Sequence, residues 1–259
     1  MLRPLTLALA LVAMAPEASA VTPECFGRIA SLVDYAQAGG NENGEKVLWQ
    51  DSQLLEKIET SDRVWNSIYP RLSRVHRALE KSGKLNALEG RIKTLDSLRH
   101  KLFGKSLQKG APTDLRDIAD VLGFRFVLND ALDIAAVEAS LRETLGDMVV
   151  TAKHVKNERG YAATHLIGQT RRGDSFEIQL MSQRMETWSK WDHDLAYKAP
   201  ANLDADYLYR LREYSKAVGE YIQALDRGEK FKVSPPPFTR YRLRREHAFP
   251  VKTLERVLN

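Results

Sequence analysis

The spacing of apolar residues divides the chain into a helical first part and a mixed middle part. From Val47 to Leu79, apolar side chains recur every three or four residues, which predicts a long amphipathic helix. Gly83 is expected to end this helix, and Pro70 is expected to kink or divide it. Glu24 to Gln37 has similar spacing and predicts a shorter helix earlier in the chain.

The middle of the chain, from about Leu88 to Lys198, alternates short β-rich runs with amphipathic segments, as α/β domains do. Strands are predicted at residues 124–128, 148–154, 164–170 and 175–180, and helices at residues 132–145, 185–197 and 203–225. The last two strands flank the turn-forming segment 171–174, which predicts a β-hairpin. The predicted fold class is therefore α/β (α+β), with a mixed sheet and helical extensions on both sides.

Composition suggests five segments along the chain. They are a signal peptide at 1–20, a helical region at 21–87, the mixed domain at 88–200, a C-terminal helix at 201–228 and a tail at 229–259. In the tail, Pro235-Pro236-Pro237 excludes a helix locally and is followed by the basic run Arg240 to Arg245. Such a run is more often a solvated or docked surface arm than a reader of nucleic acid.

The first twenty residues predict export. Residues 5–14 form an apolar run behind Arg3, and Ala18-Ser19-Ala20 supplies the small-x-small pattern of a signal-peptidase site. Cleavage is expected after Ala20, giving a periplasmic or secreted protein with no stable membrane insertion, because the run is too short to span a bilayer. Cys25 is the only cysteine and lacks the small apolar residues of a lipoprotein signal, so neither an internal disulfide nor a lipid anchor is expected.

The formal net charge of +5 favours phosphorylated ligands or nucleic acid as partners. Arg91 and Lys93 alternate, as residues on one side of an extended segment do, and this pair is suited to hold a polyphosphate. Ser97 and Lys101 lie four residues apart on a predicted helix opened by Thr94, and so share a helical face. Taken alone, each of these residues is more often a solvated side chain.

Two carboxylates predict a magnesium site. Asp120 lies just before a predicted strand, and Glu177 shares one face of another strand with Gln179, opposite an apolar face. Magnesium takes one or two carboxylates together with phosphate oxygens. On its own, the polar strand face is equally consistent with simple solvation.

An aromatic ring follows a glycine turn at Gly160-Tyr161, with His165 four residues later. The ring is suited to stack on a nucleobase, although an isolated tyrosine is ordinarily packed and an isolated histidine is ordinarily a structural hydrogen-bonder. The predicted helix after the hairpin carries Trp188, His193, Tyr197 and Lys198, of which the two aromatic residues are also suited to a core.

In their order and spacing these residues resemble the synthetase domain of the RelA/SpoT family and its short, single-domain relatives. The resemblance covers about Leu88 to Lys198. It runs through Arg91-x-Lys93, Ser97, Lys101, Asp120-x-x-Gly123-x-Arg125, Gly160-Tyr161-x-x-x-His165, Glu177-Ile178-Gln179, Trp188, His193 and Tyr197-Lys198. The resemblance implies a nucleotidyltransferase-like mixed β-sheet flanked by helices. It also implies transfer of the β,γ-pyrophosphate of ATP, with Mg²⁺, to the 3′-hydroxyl of a purine nucleotide.

The resemblance further implies roles for the matching residues. The ATP donor would be held by Arg91, Lys93, Ser97 and Lys101. Asp120 would bind Mg²⁺, and Glu177 would bind the metal or activate the acceptor hydroxyl. The acceptor side would be formed by Tyr161, stacked on the base, with His165, Gln179, Lys153 and Arg125 near its phosphates or ribose.

Some positions depart from the family pattern. Arg159 occupies a position where an asparagine is usual, Met181 and Ser182 replace an arginine and a threonine, and Asp192 replaces a glutamate. No His-Asp pair of the family's Mn²⁺ hydrolase domain is present, so alarmone degradation is not expected.

The sequence leaves three readings of function open. The chain makes a (p)ppGpp-like product from GDP, GTP or an adenine nucleotide, and because ATP is scarce outside cells, an exported form would act as a toxin in a target-cell cytoplasm. Alternatively it pyrophosphorylates the 3′ end of tRNA, using the basic tail to hold phosphates. In the third reading it binds nucleotides without catalysis. An immunity protein and a delivery route are not identifiable from the sequence.

Overall fold

The computed structural model describes residues 51–109, 113–197, 203–229 and 233–251. The predicted signal peptide, Cys25, the predicted helix at 24–37 and Lys198 lie outside these residues. None of the described helices is both long enough and apolar enough to cross a membrane.

The described part of the chain contains five α-helices and five β-strands. The helices are α1 (Asp51–Lys81), α2 (Leu95–Lys109), α3 (Ile134–Leu145), α4 (Gln183–Asp192) and α5 (Ala205–Asp226). The strands are β1 (Leu85–Ile92), β2 (Leu122–Leu128), β3 (Val149–Lys156), β4 (Ala162–Gln169) and β5 (Ser175–Ser182).

The strands form one mixed sheet in the order β1-β2-β5-β4-β3. Only the pairing of β2 with β5 is parallel, while the pairs β1–β2, β5–β4 and β4–β3 are antiparallel. The predicted α/β class and the predicted hairpin are confirmed. In the hairpin, Gln169 pairs with Ser175, the amide of Thr170 donates to the backbone oxygen of Asp174 (2.8 Å), and Gly173 supplies the positive φ of 88° that the turn requires.

The chain divides into two compact units. Among the described residues, the first unit holds residues 51–60, 93–109 and 113–121, and the second holds residues 61–92 and the residues from 122 onward. The first unit has its own small core, in which Leu54 of α1 and the α2 residues Leu98 and Leu102 pack with Ile118 and Val121.

In the second unit, both faces of the sheet carry apolar side chains. On one face, Phe124, Ile178 and Leu166 pack in a cluster with residues of α1 and α3. On the other face, Met181 and Ala163 belong to a second cluster, formed with α4, α5 and the tail. Because side chains alternate along a strand, the second face also receives the polar residues that immediately flank Ile178.

Three sequence predictions are corrected by the fold. Pro70 does not divide the first helix, because α1 runs through it from Asp51 to Lys81. The predicted helix at 185–197 changes form, with α4 ending at Asp192 and a π-helical turn covering His193–Tyr197. Strand β1 begins at Leu85, before the expected start of the mixed domain, and ends at Ile92, so Lys93 is not a strand residue.

The tail is docked on the second unit. Its residues Leu243 and Phe249 are buried, and both belong to the second apolar cluster. The backbone amide of Phe249 donates to the hydroxyl of Tyr214 (3.2 Å), and the amide of Arg244 donates to the hydroxyl of Tyr207 (3.0 Å). Of the two forms of surface arm that the sequence predicts, the structure therefore has the docked one over residues 233–251.

Candidate active site

A row of polar residues crosses the sheet of the second unit from edge to edge. The strand registers pair Glu89 with Arg125, Arg125 with Gln179, Gln179 with His165, and His165 with Lys153. Residues paired in register lie side by side on the same face of a sheet. Four residues predicted for the acceptor side, on four different strands, are thus brought into one line.

Glu177 lies on β5 beside this row, and its carboxylate is nearly buried, with 12% of the side chain exposed. Its Oε1 is 2.9 Å from Nδ1 of His165, and its Oε2 accepts a hydrogen bond from Nε2 of Gln179 (2.8 Å). Both carboxylate oxygens therefore have a partner on the sheet.

Arg125 links Gln179 to an acidic pair on the β1 side of the row. Its guanidinium donates from Nε and one terminal nitrogen to Oε1 of Gln179 (3.3 and 3.2 Å). Its other terminal nitrogen lies 3.7 Å from Glu89 and 3.9 Å from Glu186, and Lys190 pairs with both of these carboxylates. The resemblance places Arg125 near the acceptor, and this role stays a prediction.

Tyr161 lies immediately before β4, with its hydroxyl 3.0 Å from Nε2 of His165. The ring packs partly buried against the second apolar cluster. Burial is the main cause that raises the pKa of Tyr161 to about 12; the positive charge of Arg125 opposes this shift and the negative charge of Glu177 adds to it. The phenol therefore keeps its proton at neutral pH.

The backbone before Tyr161 is held against helix α5. Gly160 has a φ of 94°, and a Cβ there would lie 2.8 Å from the backbone oxygen of Lys216 and 2.9 Å from Cα of Gly219. The side-chain amide of Gln223 donates to the backbone oxygen of Gly160 (2.7 Å). Only glycine fits this contact, which explains why a glycine precedes the tyrosine.

In the first unit, Asp120 forms ion pairs with two lysines. Its Oδ2 is 3.0 Å from Nζ of Lys93 and also accepts a hydrogen bond from Nζ of Lys101, while 17% of its side chain is exposed. Burial by itself would raise the pKa of Asp120, but the hydrogen bond from Lys101 and the charges of both lysines outweigh it and lower the pKa. The carboxylate is therefore ionised at neutral pH.

Helix α2 presents further cations beside this carboxylate. Thr94 precedes the helix, and its Oγ1 accepts from the amide of Ser97 (3.3 Å) and donates to the Ser97 hydroxyl (3.0 Å). One turn beyond Lys101, the pKa of Lys105 is lowered, first by burial and then by the charge of Lys101. A cluster of mutually repelling ammonium groups of this kind is suited to bind an anion.

Asp120 is suited to bind Mg²⁺ as a single carboxylate ligand. Within the described residues there is no group of three or more His, Cys, Asp or Glu side chains that could hold a metal ion. An ionised, partly exposed carboxylate such as Asp120 is a ligand that Mg²⁺ accepts when phosphate oxygens and waters complete its coordination. Asp120 belongs to the first unit and Glu177 to the second, and their joint metal site stays a prediction.

The other predicted site residues are placed as follows. Arg91 is exposed on β1, where its backbone pairs with Gly123, and Lys153 is exposed on β3. Trp188 is buried in the second cluster and donates from Nε1 to the backbone oxygen of Ser215 (2.9 Å), so the core reading applies to it. His193 is exposed, with Nδ1 3.4 Å from Asp194.

Sequence reasoning missed Glu89, Glu186 and Lys190. Glu89 had a usable signal, because it lies two residues before Arg91 and alternate strand residues share a face. Glu186 and Lys190 form an i, i+4 pair on α4, which is a common surface pattern and carries little functional information by itself.

Part of the chain matches a known family model. The family model described as "Region found in RelA / SpoT proteins" matches residues 90–202. We call residues 90–202 the RelA/SpoT region after this match. This extent agrees with the resemblance seen in the sequence, and every predicted ATP-side and acceptor-side residue lies within the RelA/SpoT region. The comparison with curated proteins yields no match.

Solved structures show the same fold. Small alarmone synthetase 2 from Bacillus subtilis is 20% identical with a TM-score of 0.52, covering 69% of this chain and 98% of the synthetase. Small alarmone synthetase 1 from Bacillus subtilis, bound to its product pppGpp, is 22% identical with a TM-score of 0.51, covering 67% and 94%. A GTP pyrophosphokinase family protein from Streptococcus pneumoniae is 18% identical with a TM-score of 0.50, covering 68% and 95%. The RelA/SpoT region therefore has the mixed-sheet fold of small alarmone synthetases.

Proposed function

We propose that this protein is a pyrophosphokinase that transfers the β,γ-pyrophosphate of ATP to the 3′-hydroxyl of a purine nucleotide. The observation that carries the proposal is the Glu177 carboxylate, fixed on both oxygens by His165 and Gln179 within the RelA/SpoT region. The similar solved structures support the proposal, since two are named as small alarmone synthetases and one as a GTP pyrophosphokinase family protein. GDP and GTP are the expected acceptors, with an adenine nucleotide as the variant to test.

The chemistry divides between the two units. In the second unit, Glu177 accepts the proton of the acceptor 3′-hydroxyl as that oxygen attacks the β-phosphorus of ATP. The new oxygen–phosphorus bond forms as the bond between the α,β-bridging oxygen and the β-phosphorus breaks, and AMP leaves. In the first unit, Lys93 and Lys101 neutralise phosphate charge, which is the main requirement of such transfers. Mg²⁺, bound through Asp120 and phosphate oxygens, would supply further charge neutralisation.

The direct test incubates the protein with γ-labelled ATP and Mg²⁺, supplying GDP, GTP, ADP, ATP or tRNA separately as acceptor. We expect label to appear in a 3′-pyrophosphorylated nucleotide for the wild type and to be absent for Glu177→Gln. Exchange of an exposed carboxylate on α3, Glu143→Gln, is the matched control and should leave the product unchanged. Nucleotide binding by calorimetry without any product would instead identify a non-catalytic binding module and contradict the proposal.

Export and a toxin role are part of the proposal and rest on residues 1–20, outside the described structure. N-terminal sequencing of the periplasmic fraction should give a first residue of Val21, whereas intact Met1 on cytoplasmic protein would contradict export. If the protein acts in a target cell, its expression in the cytoplasm should be toxic, and Glu177→Gln should abolish the toxicity.

A tRNA acceptor is the second candidate, supported by the docked tail. Arg240, Arg242, Arg244 and Arg245 are exposed there and form a basic surface suited to phosphates. Deleting the tail would not test this role cleanly, because Leu243 and Phe249 are part of the core. The double change Arg240→Ser with Arg245→Ser is sharper. It should reduce labelling of tRNA and weaken the salt dependence of RNA binding without changing nucleotide turnover if tRNA is the acceptor.

A further inference from the structure

The hydrogen bonds around Glu177 have a fixed direction that starts at Arg125. A guanidinium has five donors and no acceptor. Arg125 therefore donates to Gln179, and the side-chain oxygen of Gln179 must be the atom that faces it. The amide nitrogen of Gln179 is then directed at Glu177, to which it donates. One side of the carboxylate is thus oriented by a chain of donors.

The other side is oriented by a second chain of donors. An ionised carboxylate only accepts hydrogen bonds, so Nδ1 of His165 must carry the proton that it shares with Glu177. In the neutral imidazole, Nε2 is then an acceptor, and the hydroxyl of Tyr161 is its donor. Tyr161, His165 and Glu177 form a directed series in which each group holds the next.

The geometry of Tyr161 supports this direction. Its pKa is raised to about 12, mainly by burial, so the hydroxyl is protonated and available to donate. Asn157 accepts from the Tyr161 amide (3.1 Å), and Gly160 is held against α5 by its contact with Gly219. The hydroxyl is thereby fixed at the end of the series by the β3–β4 turn and by helix α5.

We propose that Tyr161 acts through its hydroxyl as a positioning residue for Glu177, with His165 in the Nδ1–H tautomer as the connecting group. This role rests on the proposed function, since it assigns to Glu177 the proton transfer from the acceptor hydroxyl. It is separate from stacking on the acceptor base, which requires the ring and not the hydroxyl. A carboxylate held in one orientation approaches that proton along a defined direction.

The first test removes the hydroxyl and keeps the ring. Tyr161→Phe should lower kcat by about three- to tenfold, the effect of one lost hydrogen bond, while the KM of the acceptor stays within about twofold. The matched control is Tyr209→Phe, which removes a hydroxyl from an exposed tyrosine of α5 and should change neither constant. Unchanged kcat and KM would show that the ring alone matters, and a raised acceptor KM with unchanged kcat would show that the hydroxyl binds the acceptor; either result would overturn the proposal.

The second test breaks the series at its centre. In His165→Asn the side-chain amide takes the place of Nδ1 and still reaches Glu177, so this variant should retain more activity than His165→Ala. Adding Tyr161→Phe to His165→Asn should have no further effect on kcat, because the connecting group is already lost. Additive losses in this double variant would contradict the series.

A spectroscopic readout separates the proposal from the proposed function. In ¹⁵N nuclear magnetic resonance spectra of the wild-type protein, His165 should show the Nδ1–H tautomer, and its Nε2 signal should shift in Tyr161→Phe but not in Tyr209→Phe. If no acceptor is pyrophosphorylated, the proposed function fails, and the spectra still decide whether the series exists. Detection of the Nε2–H tautomer would overturn the inference even in an active enzyme.

Discussion

Asp120 in the first unit and Glu177 in the second are carboxylates of similar burial with opposite surroundings. Asp120 is held by the ammonium groups of Lys93 and Lys101, so its partners are charges on long, flexible side chains. Glu177 is held by His165 and Gln179. Gln179 lies on the same strand as Glu177, and His165 is paired in register with Gln179 on the adjacent strand. Similar exposed fractions, 17% and 12%, therefore do not imply similar roles.

The difference indicates what each carboxylate is prepared for. Two lysines and one aspartate leave a net positive charge beside α2, and lysines turn easily from a carboxylate to a phosphate. That arrangement suits a polyphosphate that arrives with its metal. Around Glu177 the hydrogen-bond donors are aligned by the sheet and fix orientation, which suits transfer of a proton along one direction.

The largest expected effect is on catalysis at Glu177. Glu177→Gln keeps the shape but removes the proton acceptor, so kcat should fall at least about a hundredfold. The melting temperature should change little, because the new amide oxygen still accepts from Gln179 and His165 can turn an unprotonated Nδ1 to the new amide nitrogen by changing tautomer. Steady-state kinetics and thermal unfolding of the same sample measure both quantities. Full activity in Glu177→Gln would refute the mechanism and remove the contrast between the two carboxylates.

Asp120→Asn should have a comparable effect on rate and a different effect on binding. The change leaves Lys93 and Lys101 without a counter-charge, so binding of Mn²⁺ in the presence of a non-hydrolysable ATP analogue should weaken strongly. Electron paramagnetic resonance measures this binding, with Asp96→Asn on the exposed start of α2 as the control.

Combining Asp120→Asn with Glu177→Gln tests whether the two carboxylates act together. If both are needed in one transfer step, the double variant should be scarcely slower than either single variant, since groups that act as a unit fail together. Multiplied losses of rate would mean that the two units contribute independently.

Replacing one glycine in each unit by alanine should change the free energy of unfolding in opposite directions. Gly160→Ala should lower the free energy of unfolding by about 1 to 3 kcal/mol, because its Cβ would meet backbone atoms of α5 and its φ is positive. Gly104→Ala places a Cβ on α2 with no atom within 4 Å, so it should stabilise the protein by about 0.5 to 1 kcal/mol. Urea unfolding measures both, and equal effects would contradict the close contact at Gly160.

The smallest expected effect concerns the start of α2. Thr94→Ala removes the oxygen that accepts the Ser97 amide and should cost about 1 kcal/mol of stability. Thr94→Ser keeps that oxygen and should unfold at nearly the wild-type urea concentration. A loss in Thr94→Ser equal to that in Thr94→Ala would assign the effect to the methyl group and not to the cap.

Much of the fold was predictable because the relevant patterns are local. The alternation in β5, the turn at 171–174 and the spacing in α3 and α5 all predicted the observed elements to within a few residues. The start of β1 was missed, because Leu85 follows soon after the Gly83 turn and its strand has no strong alternation. Pro70 was overestimated as a helix breaker, since the packing of Ile68 and Leu72 against the sheet stabilises α1 on both sides of it.

By itself, the sequence determined the order of the RelA/SpoT motifs and the shared strand face of Glu177 and Gln179. Both follow from spacing along the chain, which does not depend on contacts with distant residues. Only the tertiary structure decided that Arg125 and Gln179, 54 positions apart, hydrogen-bond to each other, and that His165 holds Glu177 from the adjacent strand. It also decided that Lys93 and Lys101 hold Asp120. Strand register and helix packing are set by contacts distant in sequence, and so no local pattern contains them.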